Sequence, residues 1–530
     1  MQSCGEAIVR YLEKKSVSTV FGIPGVHNLE LYRGLQGSSI RHILCRHEQG
    51  AGFLADGYAR TSGEVGVAFV ITGPGLTNIS TAIGQAYADS IPLLVISSVN
   101  ESWSLGKGTG RLHECDRQLS VTDPITGFNA RVHSVDEAYD ALDRAFTLFE
   151  SERPRPVHIE VPIDVLVQTV PEGFYREPAA ITAQRPSPSG EELAAALELL
   201  SRAEKPMIIV GGGAIEAADA VATLAERLRA PTFTTVAGKG MLPIGHPFKA
   251  GATLCTEAGW NAIEQADLVL AIGTEMADTD FWRDTLPITG SLIRVDIDER
   301  KLADLYPAAL AICSDSNAFV SSLLTYENLT SASVFDEEFA IELRKNVREN
   351  LLQWDQSLVR ILDAIMKIAT DTRVVADMTQ LAYAANFTQP IDGARRWLHP
   401  TGFGTLGYAL PAAIGAAIAD PSTPVLAIAG DGGLQYTVQE LATAKEIASP
   451  MVLLIWNNSR LGQIWDDMER TGIEPIAVAM DNPDFGILAR AYDIGYSKPT
   501  TLAALKASLS GGLSSNGLTI IEVTPSILDR

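Results

Sequence analysis

Short apolar runs recur along the chain, and most of them end in Gly, Pro, Asn or Asp. They occupy 67–71, 93–96, 157–161, 207–210, 268–272, 292–295, 374–376, 425–429, 451–456 and 518–523. Runs this short and this continuously apolar predict strands buried on both faces, as in a parallel sheet. Amphipathic segments such as 190–203 and 439–448 lie between them. Strands alternating with helices predict α/β units. A Pro-, Ala- and Ser-rich stretch at 171–189 and a polar stretch at 328–333, ahead of a charged helix at 335–351, read as linkers. They divide the chain into 1–170, 190–330 and 355–530. A length of 530 residues agrees, at roughly 150 residues per domain. An internal echo links the first and last thirds. Gly57-Tyr58-Ala59 leads to the strand at 67–71 and the turn Gly73-Pro74-Gly75; Gly407-Tyr408-Ala409 leads to the strand at 425–429 and the turn Gly430-Asp431-Gly432.

Composition narrows the function. With 46% hydrophobic and 20% charged residues, the chain is ordinary globular protein. Its 41 Lys and Arg against 64 Asp and Glu give a net charge of −23. That argues against nucleic acid or an anionic membrane as partner, since each requires a basic surface. The cysteines, Cys4, Cys45, Cys115, Cys255 and Cys313, are scattered. They predict reduced thiols rather than a zinc or iron–sulfur site. No basic segment followed by a long apolar run opens the chain, and none approaches the ~20 residues of a membrane span. A cytoplasmic enzyme is expected.

The most informative stretch is Ala429-Gly430-Asp431-Gly432-Gly433, followed by a predicted helix at 436–448, a strand at 451–456 and then Asn457-Asn458. A strand ending in a Gly-rich turn suits a phosphate, because glycine lets backbone N–H groups approach it. A carboxylate in the same turn would repel phosphate unless a divalent cation lay between them. Consecutive strands of a parallel sheet end on the same edge, so Asp431 and Asn458 can converge. With a loop carbonyl, phosphate oxygens and water they would complete an octahedral Mg²⁺ site.

Gly430-Asp431-Gly432 with Asn457-Asn458 resembles the thiamine diphosphate (ThDP) fingerprint. Gly22-Ile23-Pro24-Gly25, Arg46-His47-Glu48-Gln49-Gly50-Ala51, Ala55-Asp56-Gly57-Tyr58-Ala59-Arg60, Thr72-Gly73-Pro74-Gly75-Leu76-Thr77-Asn78 and Gly404-Thr405-Leu406-Gly407 resemble the acetolactate synthase and benzoylformate decarboxylase group. The resemblance implies three doubly wound parallel-sheet domains: pyrimidine, central and diphosphate. It implies active sites shared between subunits, in a homodimer or dimer of dimers. Glu48 would be the acid that hydrogen-bonds the pyrimidine ring, and Leu406 the apolar wedge that bends the cofactor. Gly25, Thr72, Asn78, Thr379, Gln380, Gly404, Gly430, Gly432 and Gly433 would line the cofactor. Asp431, Asn458 and the Arg460 carbonyl would hold Mg²⁺.

The substrate is then a small 2-oxo acid. Glu114, Asp467 and His27 depart from the acetolactate synthase pattern; His27 and His113 are expected to be catalytic beside Glu48, and Val26, Glu114, Gln463 and Asp467 to face the substrate. Two carboxylates facing a cleft would suit a guanidinium, which pairs bidentately with such groups; the alternative is that both are simply solvated. Stretches 21–32, 105–114 and 152–160 also resemble 5-guanidino-2-oxopentanoate decarboxylases of arginine catabolism, which release CO₂ and 4-guanidinobutanal. Rival readings are an acetolactate synthase-like carboligase using pyruvate, a benzoylformate-type decarboxylase with His27 and His113 as its catalytic histidines, and a non-catalytic ThDP-binding protein. Val210-Gly211-Gly212-Gly213-Ala214 resembles the glycine turn that holds FAD in acetolactate synthases. However, 273–282 lacks the Arg-Phe-Asp-Asp-Arg pattern that accompanies it, so no FAD is expected.

Overall fold

The structure is a computed structural model that describes residues 2–170, 176–178, 184–351 and 353–528. Every apolar run named above forms a strand, 67–71 as Gly66–Val70, and each of these strands belongs to one of three six-stranded sheets. All strand pairs in these sheets are parallel. The fold is α/β, with helices on the sheet faces. Of the linker expected at 171–189, residues 171–175 and 179–183 lie outside the described residues. Ser189 caps the helix Gly190–Arg202 through a reciprocal capping box with Glu192. The charged helix expected at 335–351 runs over Glu337–Glu349.

The internal echo is a repeat of topology. Numbered in chain order within each sheet, the first and last sheets share the strand order 2-1-3-4-6-5, whereas the central sheet runs 3-2-1-4-5-6. In both outer sheets the third strand, Gly66–Val70 or Val425–Gly430, follows a helix, Glu48–Ser62 or Ala409–Ala419. These two helices pack directly on each other. A Cβ at Gly57 would collide with the Ala412 carbonyl, and one at Gly415 with the Leu54 carbonyl. Both positions therefore require glycine for close approach. The apolar residues around this crossing form one continuous core, with Phe53 and Leu54 against Tyr408, Leu410 and Ile414.

A buried polar cluster sits beside the crossing. Asp56 accepts from Tyr408 Oη (2.6 Å) and Arg60 Nε (2.6 Å), and Arg60 also reaches Asp89 (2.7 Å). Two carboxylates and a phenol surround the guanidinium, so its charge is compensated, as burial demands.

One predicted element is corrected. The helix expected at 436–448 begins earlier, at Asp431–Gln435, and is then interrupted; a 3₁₀ turn at Val438–Glu440 precedes the short helix Leu441–Ala444. Tertiary bonds break it. Thr437 Oγ1 donates to the Gly407 carbonyl (2.7 Å). Buried Glu440 accepts from the backbone N–H groups of Arg46 and His47, both at 3.0 Å. In the central sheet, Gly211 and Gly213 pack on Gly273, and Gly213 N–H donates to its carbonyl (3.0 Å). Close approach of two strand ends is reason enough for those glycines.

Gly415→Val is expected to lower stability by about 2–3 kcal/mol or to prevent folding, because the new side chain has no room at the crossing. Gly511→Ala, on the exposed end of helix Leu502–Leu513 with nothing within 4 Å, is expected to be neutral or stabilising. Urea denaturation of both variants checks the contrast.

Candidate active site

The predicted residues gather at the C-terminal edges of the two outer sheets, where open parallel sheets bind ligands. They form two groups. Among the described residues, no hydrogen bond or ion pair joins a predicted member of one group to a predicted member of the other.

The first group lies on the last sheet. Strand Val425–Gly430 is apolar and buried up to Ala429, then delivers Asp431 into the turn. Asp431 is 2% exposed. Its Oδ1 accepts from Gly432 N–H (3.0 Å); its Oδ2 accepts from Ser459 N–H (2.8 Å) and Asn482 Nδ2 (2.7 Å). Burial raises the pKa of this carboxyl, and these three donors oppose the shift. Asn458 begins the loop after the neighbouring strand, Met451–Trp456. Its Nδ2 donates to Gln380 Oε1 (3.0 Å), and its Oδ1 accepts from Arg460 N–H (3.3 Å). The Arg460 guanidinium turns away and stacks 5.0 Å over Trp465.

Thr379 and Gln380 follow strand Arg373–Ala376 and open helix Gln380–Thr388. A Cβ at Gly430 would lie 3.1 Å from Thr379 Oγ1, and one at Gly433 would lie 3.1 Å from Asp377 Oδ2. Asp377 is fully enclosed and pushed up to about 6 by burial, against N–H donors that include Met378 and Gly407. Gly407 closes the loop that carries Gly404 and half-buried Leu406. The first unit pins this loop as well: Asp89 accepts from Gly402 N–H (2.7 Å) and Gln85 Oε1 from Thr405 Oγ1 (2.9 Å).

The second group lies on the first sheet. Glu48 opens helix Glu48–Ser62 and is 9% exposed. Asn78 Nδ2 donates to its Oε2 (2.9 Å). Thr72 is buried, its Oγ1 against Ser98 Oγ (3.1 Å). Gly25 packs on Ile71, its N–H donating to Asn28 Oδ1 (2.8 Å), while Val26 stands out into solvent. His27 and His113 meet edge to face, 5.2 Å between ring centres. His27 Nδ1 is buried without a hydrogen-bond partner. Burial and the neighbouring His113 lower the pKa of His27, and Glu101 opposes them.

Glu114 and Asp467 are not brought together within the chain. The Glu114 carboxylate accepts from the N–H groups of Thr109 (3.3 Å), Gly110 (2.6 Å) and Arg111 (3.0 Å) in its own loop. Asp467, on helix Gly462–Arg470, accepts from Gln463 Nε2 (3.2 Å) and pairs with Arg470 (2.8 Å). Sequence reading missed Asp377, Gln85, Glu440, Asp466 and Asn482. The flanking chain carries no signal for them, apart from the turn-like Asp481-Asn482-Pro483.

Comparison with known proteins gives the family. Residues 2–121 match the thiamine pyrophosphate enzyme N-terminal TPP binding domain, 193–323 the central domain and 377–523 the C-terminal TPP binding domain. The chain belongs to the thiamine pyrophosphate enzymes. It is 53% identical over 529 residues to a probable 2-ketoarginine decarboxylase, AruI, of Pseudomonas aeruginosa, covering 98% of this chain and 94% of that one. The large subunit of acetolactate synthase isozyme 1 of Escherichia coli is 34% identical over 467 residues, covering 87% and 82%. A probable acetolactate synthase large subunit of Methanocaldococcus jannaschii is 31% identical over 547 residues, covering 98% and 91%.

The donor chemistry fits the cofactor's metal. Among the described residues, no three His, Cys, Asp or Glu side chains cluster to hold an ion. A set of one carboxylate, one amide oxygen and one carbonyl is the hard, oxygen-only kind that suits Mg²⁺. No helix among the described residues is long and apolar enough to cross a membrane.

Behind the loop that carries Leu406, His399 is 5% exposed, and burial lowers it from 6.5 to about 4. The folded state then resists a proton that the unfolded chain accepts. Stability from this group is present above 6.5 and lost as the pH falls toward 4. The stability difference between wild type and His399→Gln is expected to shrink by about 1.4 kcal/mol per pH unit within that window. Urea denaturation of both proteins at pH 7.0, 6.0 and 5.0 checks it.

Proposed function

We propose that the protein is a ThDP- and Mg²⁺-dependent decarboxylase whose preferred substrate is 5-guanidino-2-oxopentanoate (2-ketoarginine), released as 4-guanidinobutanal and CO₂. The observation that carries the reading is the buried Asp431 carboxylate in a glycine turn beside the Asn458 amide. The substrate rests on the relative named as a probable 2-ketoarginine decarboxylase, which matches at 53% identity across nearly its whole length.

When bound, ThDP supplies the carbon nucleophile and the electron sink that allow a 2-oxo acid to lose CO₂. The residues of the chain hold and time that chemistry. Asp431, the Asn458 amide oxygen and the Arg460 carbonyl would hold Mg²⁺. The backbone of Gly430, Gly432 and Gly433, with Thr379 and Gln380, borders the diphosphate. Gly404 and Leu406 support the cofactor's middle, and Gly25, Thr72 and Asn78 line its pyrimidine side. Asn78 donates to Glu48 Oε2 and so orients the carboxyl that would meet the ring.

Decarboxylation breaks one C–C bond and takes up one proton at the former carbonyl carbon. His27 and His113 would move protons near the substrate, His27 through its unpartnered Nδ1. Val26, Glu114, Gln463 and Asp467 line the substrate end. In this reading, as the family resemblance implies, the active site forms between two copies, in a dimer or a dimer of dimers. The reading includes no flavin. The second reading, a carboligase of the acetolactate synthase type using pyruvate, is favoured by the relatives at 34% and 31% identity.

Steady-state assays across 2-oxo acids decide between them. The guanidino substrate is expected to exceed pyruvate and benzoylformate in kcat/KM, with 4-guanidinobutanal as product; acetolactate from pyruvate would establish the rival. Glu48→Gln is expected to retain ThDP while kcat falls at least about 10²-fold, the usual loss for a proton-transferring group. Near-normal turnover in that variant would contradict the assigned role.

A further inference from the structure

A metal-binding asparagine has a geometric problem. Its amide has an oxygen end that can bind a cation and an NH₂ end that cannot, and rotation about the last bond exchanges them. On the reading of Asn458 as a Mg²⁺ ligand, something must fix which end faces the ion.

The chain has a device at that position. Asp466 Oδ2 accepts from Gln380 Nε2 at 2.8 Å. Gln380 Oε1 accepts from Asn458 Nδ2 at 3.0 Å. The order of donors follows from chemistry. An ionised carboxylate only accepts, so the end of Gln380 facing Asp466 must be its NH₂. Gln380 therefore offers its oxygen to Asn458, and Asn458 must answer with its own NH₂. That leaves the Asn458 oxygen pointing the other way, where it accepts from Arg460 N–H at 3.3 Å, beside the carbonyl read as the next ligand.

Gly462, one turn before Asp466 on the same helix, keeps this line open. A Cβ there would lie 2.5 Å from Gln380 Oε1 and 2.6 Å from Asn458 Nδ2. Asp466 itself is held on helix Gly462–Arg470; burial raises its pKa, with Glu469 and Asp467 adding to the rise, while Arg460 and Arg470 oppose it.

We propose that Asp466 is a positioning residue for the metal site: acting through Gln380, it sets the rotamer of the Asn458 amide so that oxygen, not nitrogen, meets Mg²⁺. The inference rests on the functional reading above. It also gives the Gln380 side chain a role in orienting the metal ligand.

The test is calorimetric titration of Mg²⁺ into the full-length protein saturated with ThDP, together with kcat at saturating Mg²⁺. Asp466→Ala removes the acceptor and is expected to weaken Mg²⁺ about tenfold or more, in the range for lost outer partners of metal ligands. Its kcat at saturating Mg²⁺ should stay within about twofold, since the ion, once bound, selects the oxygen end itself. Asp466→Asn keeps an oxygen that can accept from Gln380 and is expected to bind Mg²⁺ within about threefold of wild type. If Asp466→Ala does not fold, Gln380→Met interrupts the same relay and must show the same weakening.

Three results overturn the proposal: wild-type Mg²⁺ affinity in the relay-breaking variant, an Asn variant as weak as the Ala variant, or a fall in kcat without a fall in affinity. Binding by wild type but not by Asp431→Ala keeps the functional reading intact whichever way Asp466 falls. A wild type that binds neither ThDP nor Mg²⁺ overturns both.

Discussion

The close crossing of helices Glu48–Ser62 and Ala409–Ala419 is the contact on which the rest of the molecule depends. Gly57 and Gly415 let the two backbones touch, and the apolar residues on either side merge two sheets into one core. Each helix leads into a ligand-facing edge. The first begins with Glu48, and the second follows directly on the loop that carries Gly404 and Leu406. A shift at the crossing would therefore move Glu48 and the loop that carries Leu406 together.

Polar groups that cross between the units depend on the same packing. Glu440, from the last unit, caps the N–H groups that lead into Glu48, while Asp89 and Gln85, from the first, hold the loop before Leu406. Buried carboxylates of this kind are stabilising only where donors are supplied. Here the donors are backbone N–H groups of the opposite unit. The interruption of the helix expected at 436–448 follows from this: continuity was given up so that Glu440 could reach across.

The cofactor-facing edge shows a division of labour between backbone and side chain. In the proposed reading, the glycines at 430, 432 and 433 let the backbone come close to anionic oxygens, and one enclosed carboxylate, Asp431, would answer a cation. Around it, amides with two unlike ends, Asn458, Asn482 and Gln380, are each engaged so that their orientation is defined. An overall charge of −23 does not prevent anion binding at such a place, because recognition is local and works through the ion and the main chain.

The sequence by itself determined the class of fold, the strands and the chemistry-bearing motifs. Apolar runs of three to six residues closed by Gly, Pro, Asn or Asp pointed to buried strands, and a Gly-Asp-Gly turn followed by paired asparagines one strand later constrains a small set of atoms through local geometry alone. The pairing of first and last thirds was legible as a three-residue echo, and its meaning, a shared strand order, was not. Only the tertiary structure decided which groups complete the site. Asp377, Gln85, Glu440 and Asp466 are separated from their partners by between 30 and about 390 residues, and nothing in their flanking residues marks them. Their roles come from hydrogen bonds between residues distant in the chain, within the last unit for Asp377 and Asp466 and across units for Gln85 and Glu440, and such bonds depend on where the chain returns in space, which no local pattern records.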